Sequence, residues 1–232
     1  MLADILFGAI AFAVFLIGLF HFWRYVWFFR NPSRRIPEGE RILCPADGTV
    51  VYAERVSAGL PTVSIKDGRS LLISDVVRED VPEAKYLIGV FMSPFDVHFN
   101  RAPIAGTIDF IRHHPARLKN FHMTSMHWRS LLHRLPLYEN SPHIIENERT
   151  VTRISGRFKG EPLSCYVVQI AGGSVHGIDS YFPEGNRLNR GQIFGMIRIG
   201  SQVDTVVTCK PFMTIKVKPG DKVKAGESVL VE

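Results

Sequence analysis

The chain has 232 residues, of which 46% are apolar and 22% charged, with a formal net charge of +6. That is enough for one sizeable domain or two small ones of ordinary globular composition, apart from one apolar segment at the start. Three cysteines, Cys44, Cys165 and Cys209, are odd in number and contain no C-x-x-C pair. This excludes a disulfide framework and a zinc knuckle and predicts buried or partly buried thiols in a reducing compartment. The positive balance suits an anionic partner, either nucleic acid or an anionic membrane.

In chain order, Ile5 to Phe20 carries no charge and is almost wholly aliphatic or aromatic. Trp23, Trp27 and Phe29 follow, interleaved with Arg24 and Arg30, and then come Arg34 and Arg35. The run reaches the ~20 residues of a membrane span, with an aromatic belt at the interface. Its positive charge lies after the apolar run, unlike that of a cleaved signal peptide. This predicts an uncleaved anchor over residues 1–30 with the body on the cytoplasmic side of the cell membrane. Pro32, Pro37 and Gly39 mark a linker over 31–40, ahead of a domain over 41–232.

From Arg41 the sequence reads as short strands broken by Gly and Pro turns: Ile42–Cys44, Thr49–Val56, Tyr86–Met92, Val151–Ile154, Leu163–Ile170, Phe194–Ile199, Thr214–Val217 and Ser228–Val231. The expected fold class is mainly β with some α. An internal echo runs from Gly185 to Gln192 and again from Gly220 to Glu227, with the pattern G-[ND]-[RK]-[LV]-x-x-G-[QE]. It predicts two related hairpin corners facing each other, as in the barrel-sandwich fold of lipoyl and biotinyl carrier domains. Phe110 to Tyr138 differs from the rest: it has five histidines and five Lys/Arg but no Asp or Glu. Trp128, Leu131, Leu132 and Leu135 fall on one helical face, with Ser125, Arg129 and His133 on another. That segment is read either as an interfacial membrane contact or as a helix packed on the β body. No carboxylate accompanies its histidines at ligand spacing, so no metal site is expected.

Motifs spread along the chain carry a resemblance. They are Trp27-Phe-Phe-Arg-Asn-Pro32, Cys44-Pro-Ala-Asp47-Gly48-Thr-Val50, Met92-Ser-Pro-Phe-Asp96-Val-His98-Phe-Asn100-Arg101-Ala-Pro103, Asn147-Glu148-Arg149 and the stretch from Gly191 to Asp204 with its Gly200-Ser201 pair. Together and in this order they resemble the phosphatidylserine decarboxylase proenzyme family, in its short, archaeal-type form. The match is poorest over Phe110–His143.

The resemblance implies that Ser201 attacks the carbonyl of Gly200 and cuts the chain into 1–200 and 201–232, which stay associated. The new terminus becomes a pyruvoyl group, the cofactor, with no metal or added cofactor. An amino acid loses CO2 only into an electron sink, which ordinary side chains do not offer. The pyruvoyl ketone offers one by taking the substrate's amine as an imine. The substrate would be phosphatidylserine or its ether-lipid counterpart, and the product phosphatidylethanolamine or its analogue. His98 is the candidate acid, because its pKa lies near neutrality. Asp47 is the candidate partner in self-cleavage, and Asn100 and Arg101 are possible substrate contacts. Long members of the family carry a second histidine three residues after the first. Here Arg101 stands there, leaving His98 or His176 as the base for Ser201. Gly173-Ser174 is a second glycine–serine pair, whose surroundings resemble the family's cleavage site less.

Two other classes compete. A membrane-anchored lipoyl or biotinyl carrier would need a lysine at a hairpin tip, and neither Lys210 nor Lys216 has that setting. A nucleic-acid binder would need a recognisable motif, and the apolar anchor gives a membrane surface the better claim.

Overall fold

The computed structural model describes residues 2–57, 63–66, 69–78, 84–173, 177–198 and 200–232, with the backbone alone for 63–66 and 69–71. The chain divides into two compact units, Met1–Pro32 and Ser33–Glu232.

In the first unit, helix α1 (Leu2–Phe22) runs into a π turn, Trp23–Trp27, and no residue of α1 is buried. Leu2–Trp27 is long and apolar enough to cross a membrane, with a mean hydropathy of 2.5.

The second unit is mainly β. An eight-stranded antiparallel sheet is built from β2 (Gly48–Val56), β5 (Lys85–Met92), β7 (Gly106–His114), β8 (Arg149–Phe158), β9 (Glu161–Ala171), β11 (Arg187–Leu188), β13 (Ser201–Thr208) and β14 (Lys222–Val223). Their order is β11-β7-β8-β9-β13-β5-β2-β14. A second sheet has the order β10-β12-β6, from Ile178–Ser180, Ile193–Ile197 and Phe99–Arg101. Two ribbons complete the strands: β1 (Ile42–Leu43) with β15 (Val229–Val231), and β3 (Val63–Lys66) with β4 (Arg69–Leu71). Helices α2 (Ile73–Val77), α3 (Thr124–Leu131) and α4 (His143–Glu146) cover one face of the large sheet.

The period-2 alternation of the strands sorts side chains into two cores. On β5, Ile88, Val90 and Met92 face the core shared with Phe194, Ile197 and Leu230, while Leu87 and Phe91 face the core under the helices with Met126 and Ile144. Each large apolar side chain buried this way contributes about 1.5–3 kcal/mol.

The large sheet is built twice. Gly220 N–H and Gly226 N–H donate to the carbonyls of Val50 and Cys44, and Gly185 N–H and Gly191 N–H donate to those of Ile108 and Ala102. Val50 and Ile108 return the bond to Asp221 and Asn186. Bulges recur between Val50 and Tyr52 and between Ile108 and Phe110. A Cβ on Gly48 would stand 2.0 Å from the Phe91 carbonyl oxygen, and one on Gly106 would stand 2.4 Å from that of Ser155. Only glycine allows these strand starts to approach their neighbours so closely. The two G-x5-G corners expected from the sequence do meet, both packing against Ile36. The axis relating the halves runs between β9 and β13, which pair from Ser201↔Ala171 to Val207↔Cys165.

Two expectations need correction. Phe110–His114 belongs to β7, paired with β8, and is not part of a helical segment. Helix α3 stops at Leu131, because His133 takes a left-handed φ of 51° just beyond the cap. Ser201–Thr208, unassigned from the sequence, is a central strand, whereas Thr214–Val217 contributes only an isolated bridge, Ile215↔Val231. The thiols behave as expected: Cys44 and Cys165 are buried and Cys209 partly so, all free, and burial pushes the first two up to about 12.

Candidate active site

Ser201 opens β13, hydrogen-bonded between β5 and β9, and is fully buried. Gly200 before it has φ +63°, and a Cβ there would meet nothing within 4 Å. Glycine is required here for its backbone conformation and not for space. Strand β12 ends at Ile197 in the small sheet, so the Gly200–Ser201 peptide sits where the chain crosses from one sheet to the other.

Around Ser201 the structure gathers residues from three strands. Its Oγ donates to Met92 Sδ at 3.4 Å, and Asn100 Nδ2 reaches the same sulfur at 3.9 Å. Asn100 Oδ1 accepts from Gln169 Nε2 at 2.8 Å, and both side chains are fully buried. Gln169 Oε1 has no hydrogen-bond partner among the described residues. His98, also fully buried, places Nδ1 2.9 Å from the Asp96 carbonyl, and its own carbonyl accepts from Ile197 N–H. With Nδ1 donating to that carbonyl, a neutral ring carries its lone pair on Nε2, the form of a base.

Asp47 and Arg101 stand in a different cluster. Arg34 donates to both oxygens of Asp47 at 3.0 and 2.8 Å, and the Ala225 amide donates to Asp47 Oδ1 at 2.7 Å. Arg101 donates to the Gly191 carbonyl, and burial lowers its pKa, with Arg34 adding to the effect. The cluster therefore binds the stretch after the first unit to both corners of the repeat. Of the sequence candidates, the structure joins Ser201 to Asn100 through Met92 and Asp47 to Arg34. Ser174 and His176 lie outside the described residues.

Behind Ser201, on the helix-covered face, lies a polar network that sequence reasoning missed. Tyr52 OH donates to Asp204 Oδ2, Gln202 Nε2 donates to Asp204 Oδ1 and to the Tyr52 oxygen, each at 2.7 Å, and His143 Nε2 lies 3.1 Å from Gln202 Oε1. Burial raises Asp204 to about 6 and lowers His143 to about 4. Asn147 donates to the carbonyl of Ala171, the cross-strand neighbour of Ser201. Arg149, wholly buried, donates to the carbonyls of Asn147, Asp75 and Val76, and burial lowers it to about 9. The signal that could have found it is Val203, Val206 and Val207 set among polar residues in Ser201–Thr208, an imperfect period of two.

A cavity of about 250 Å³ opens at Gly200, lined by Phe91, Pro94, His122, Thr124, His127 and Gly173 among others. The cavity therefore lies beside the peptide at the head of β13.

Comparison with known proteins gives the chain its class: the decarboxylases made as proenzymes, which are carboxy-lyases. A model of the phosphatidylserine decarboxylase family matches residues 22–231, and the chain belongs to that family. It is 35% identical to a Methanocaldococcus jannaschii protein assigned as an archaetidylserine decarboxylase proenzyme, over 88% of this chain and 87% of the other. It is 32% identical to the phosphatidylserine decarboxylase proenzymes of Thermobifida fusca, over 88% of this chain and 71% of that one, and of Chlorobium limicola, over 96% and 82%.

Proposed function

We propose that this chain is a membrane-anchored proenzyme that cuts itself between Gly200 and Ser201 and decarboxylates the serine headgroup of phosphatidylserine or its ether-lipid analogue. The observation that carries this reading is a left-handed glycine before a fully buried serine, at the head of a central strand and beside a cavity. Ser201 Oγ gives its proton to a base and attacks the Gly200 carbonyl, and the peptide C–N bond becomes an ester. Loss of the Cα proton and cleavage of the Cβ–O bond release residues 1–200 with a carboxylate end. The dehydroalanine left at position 201 takes up water and loses ammonia, giving a pyruvoyl group.

The residues present fit that group. Ser201, Met92, Asn100 and Gln169 are all fully buried, and the Asn100 amide, fixed by Gln169, can hold a carbonyl oxygen there. Once formed, the ketone supplies the electron sink for loss of CO2. His98 holds the proton that returns to the substrate carbon, its ring aimed by the Asp96 carbonyl. Asp47, fixed by Arg34 and the Ala225 amide, supports self-cleavage by holding the corner that carries the small fragment. Arg101 provides positive charge for an anionic headgroup.

The two fragments stay together, because β13 is flanked by β5 and β9, β14 pairs with β2, and β15 with β1. The doubled corners favour the barrel-sandwich form for the domain over 41–232, with residues 1–30 as anchor and 31–40 as linker. Arginines following the apolar helix favour the cytoplasmic face. The test is a denaturing gel with intact mass. Two chains are expected, the smaller beginning at position 201 and lighter than a serine-headed chain by one ammonia. A single intact chain in an active preparation overturns the reading.

A further inference from the structure

Helix α3 is two-sided in a way the fold does not use. Met126 and Ser130 are buried against the sheet, with Ser130 Oγ donating to Thr49 Oγ1 at 3.0 Å. On the other side of α3 and just after its end, Trp128, Leu131, Leu132 and Leu135 are 55%, 60%, 53% and 62% exposed. Four large apolar side chains so close together on a surface mark an interaction site.

The same helix closes the cavity at Gly200. Thr124 and His127 line it from α3, with His122 and Met123 just before. Trp128 stacks edge-on against His127, with ring centroids 5.9 Å apart. Across the cavity Pro94 lines the wall, and the next residue, Phe95, is 65% exposed. Exposed apolar groups therefore flank the cavity on two sides.

Charge selects the occupant. From Phe110 to Tyr138 there is no carboxylate, so no acidic side chain within this segment opposes an anionic surface. Arg117 and Arg129 are engaged by Asp75 and Glu139 and Arg112 lies over the Phe110 ring, so Arg134 and Lys119 are the main cationic contribution. The attraction is modest, at about 1 kcal/mol per basic residue, and apolar insertion dominates. A bilayer is within covalent reach, because the stretch 28–41 is all that separates the apolar span ending at Trp27 from β1.

We propose that the Trp128–Leu135 edge is a lipid-docking surface that seats the mouth of the Gly200 cavity on an anionic phospholipid bilayer. The role of that cavity rests on the decarboxylase reading; the docking itself does not. Docking lets a headgroup enter with its tails still in the bilayer, so the lipid never crosses water.

The experiment uses the full chain with Trp23→Phe and Trp27→Phe, which leaves Trp128 as the one tryptophan. The protein is reconstituted into vesicles of phosphatidylglycerol and phosphatidylcholine, with or without brominated acyl chains. Brominated lipid is expected to quench Trp128, and Leu131→Ser with Leu132→Ser to abolish the quenching. The same pair should lower decarboxylation of bilayer phosphatidylserine about tenfold. Turnover of a short-chain soluble phosphatidylserine and conversion to two chains should be unchanged. High salt should weaken the quenching only slightly. Unquenched Trp128 in a chain that cleaves and turns over overturns the proposal. So does a Trp128 signal that depends on protein concentration and not on lipid, which assigns the edge to a second copy. Quenching in a chain that never cleaves supports docking and breaks the functional reading instead.

Discussion

The two halves of the large sheet share a backbone and differ in their chemistry. Cys44–Val50 is clasped by the corner Gly220–Gly226, and Ala102–Ile108 by Gly185–Gly191, with the same three hydrogen bonds at each. Where the first half has Asp47, joined to Arg34 and the Ala225 amide, the second has exposed Ala105. Where the first has Tyr52, bonded to Asp204, the second has Phe110. Ser201 faces Met92 across the ladder, and the corresponding ladder of the second half sets Leu163 against Gly156. The scaffold therefore needs only the glycines and the apolar alternation. The polar residues found in one half alone are additions: Asp47 just before β2, Tyr52 on β2, and Ser201 and Asp204 on β13.

The most drastic way to break this comparison is at the seam. Ser201→Ala is expected to abolish self-cleavage and activity while leaving a folded single chain, read by gel and circular dichroism. It removes a hydroxyl bonded only weakly, to sulfur, so a large loss of stability would instead assign Ser201 to the scaffold.

Gly48→Ala and Gly106→Ala test whether the halves are equivalent. Each places a methyl group against a backbone carbonyl, and each should cost roughly 3 kcal/mol or more in denaturant melts. Unequal costs would show that one clasp dominates.

Asp47→Ala makes the first clasp resemble the second. It leaves Arg34, whose side chain is 5% exposed, with the longer 3.8 Å pairing to Glu227, and is expected to cost about 3 kcal/mol and slow processing, whereas Ala105→Asp should change stability by less than about 0.5 kcal/mol. Equal effects would erase the difference between the halves.

The smallest expected effect is in pH dependence. Asp204 is raised on folding, so its contribution is present at low pH and lost as pH rises toward about 6. His143 is lowered, so its contribution is present above about 6.5 and lost as pH falls through about 4. In the native chain the two slopes oppose each other between about pH 4 and 6, leaving a flat profile. His143→Gln removes one of them, and stability should then fall by roughly 2 kcal/mol across that window as pH rises. A profile that stays flat would show that Asp204 is not raised.

The sequence by itself determined the apolar N-terminal segment, the mainly β body, the two glycine corners and the family to which the motifs belong. Each of these is written in contiguous residues: a run of apolar side chains, a period of two, or a turn that needs glycine. It also made Gly200-Ser201, His98 and Asn100 stand out, because their neighbours in sequence form the motifs. Only the tertiary structure decided which face each residue takes and who meets whom. Strand Ser201–Thr208 was hidden because its buried Gln202 and Asp204 look soluble until Tyr52 and His143 satisfy them. Asp47, singled out by its motif, is held by Arg34 and the Ala225 amide, from segments far apart in the chain. The cavity histidines and the exposed edge of α3 share this origin: burial and contact are set by long-range packing, which local spacing does not encode.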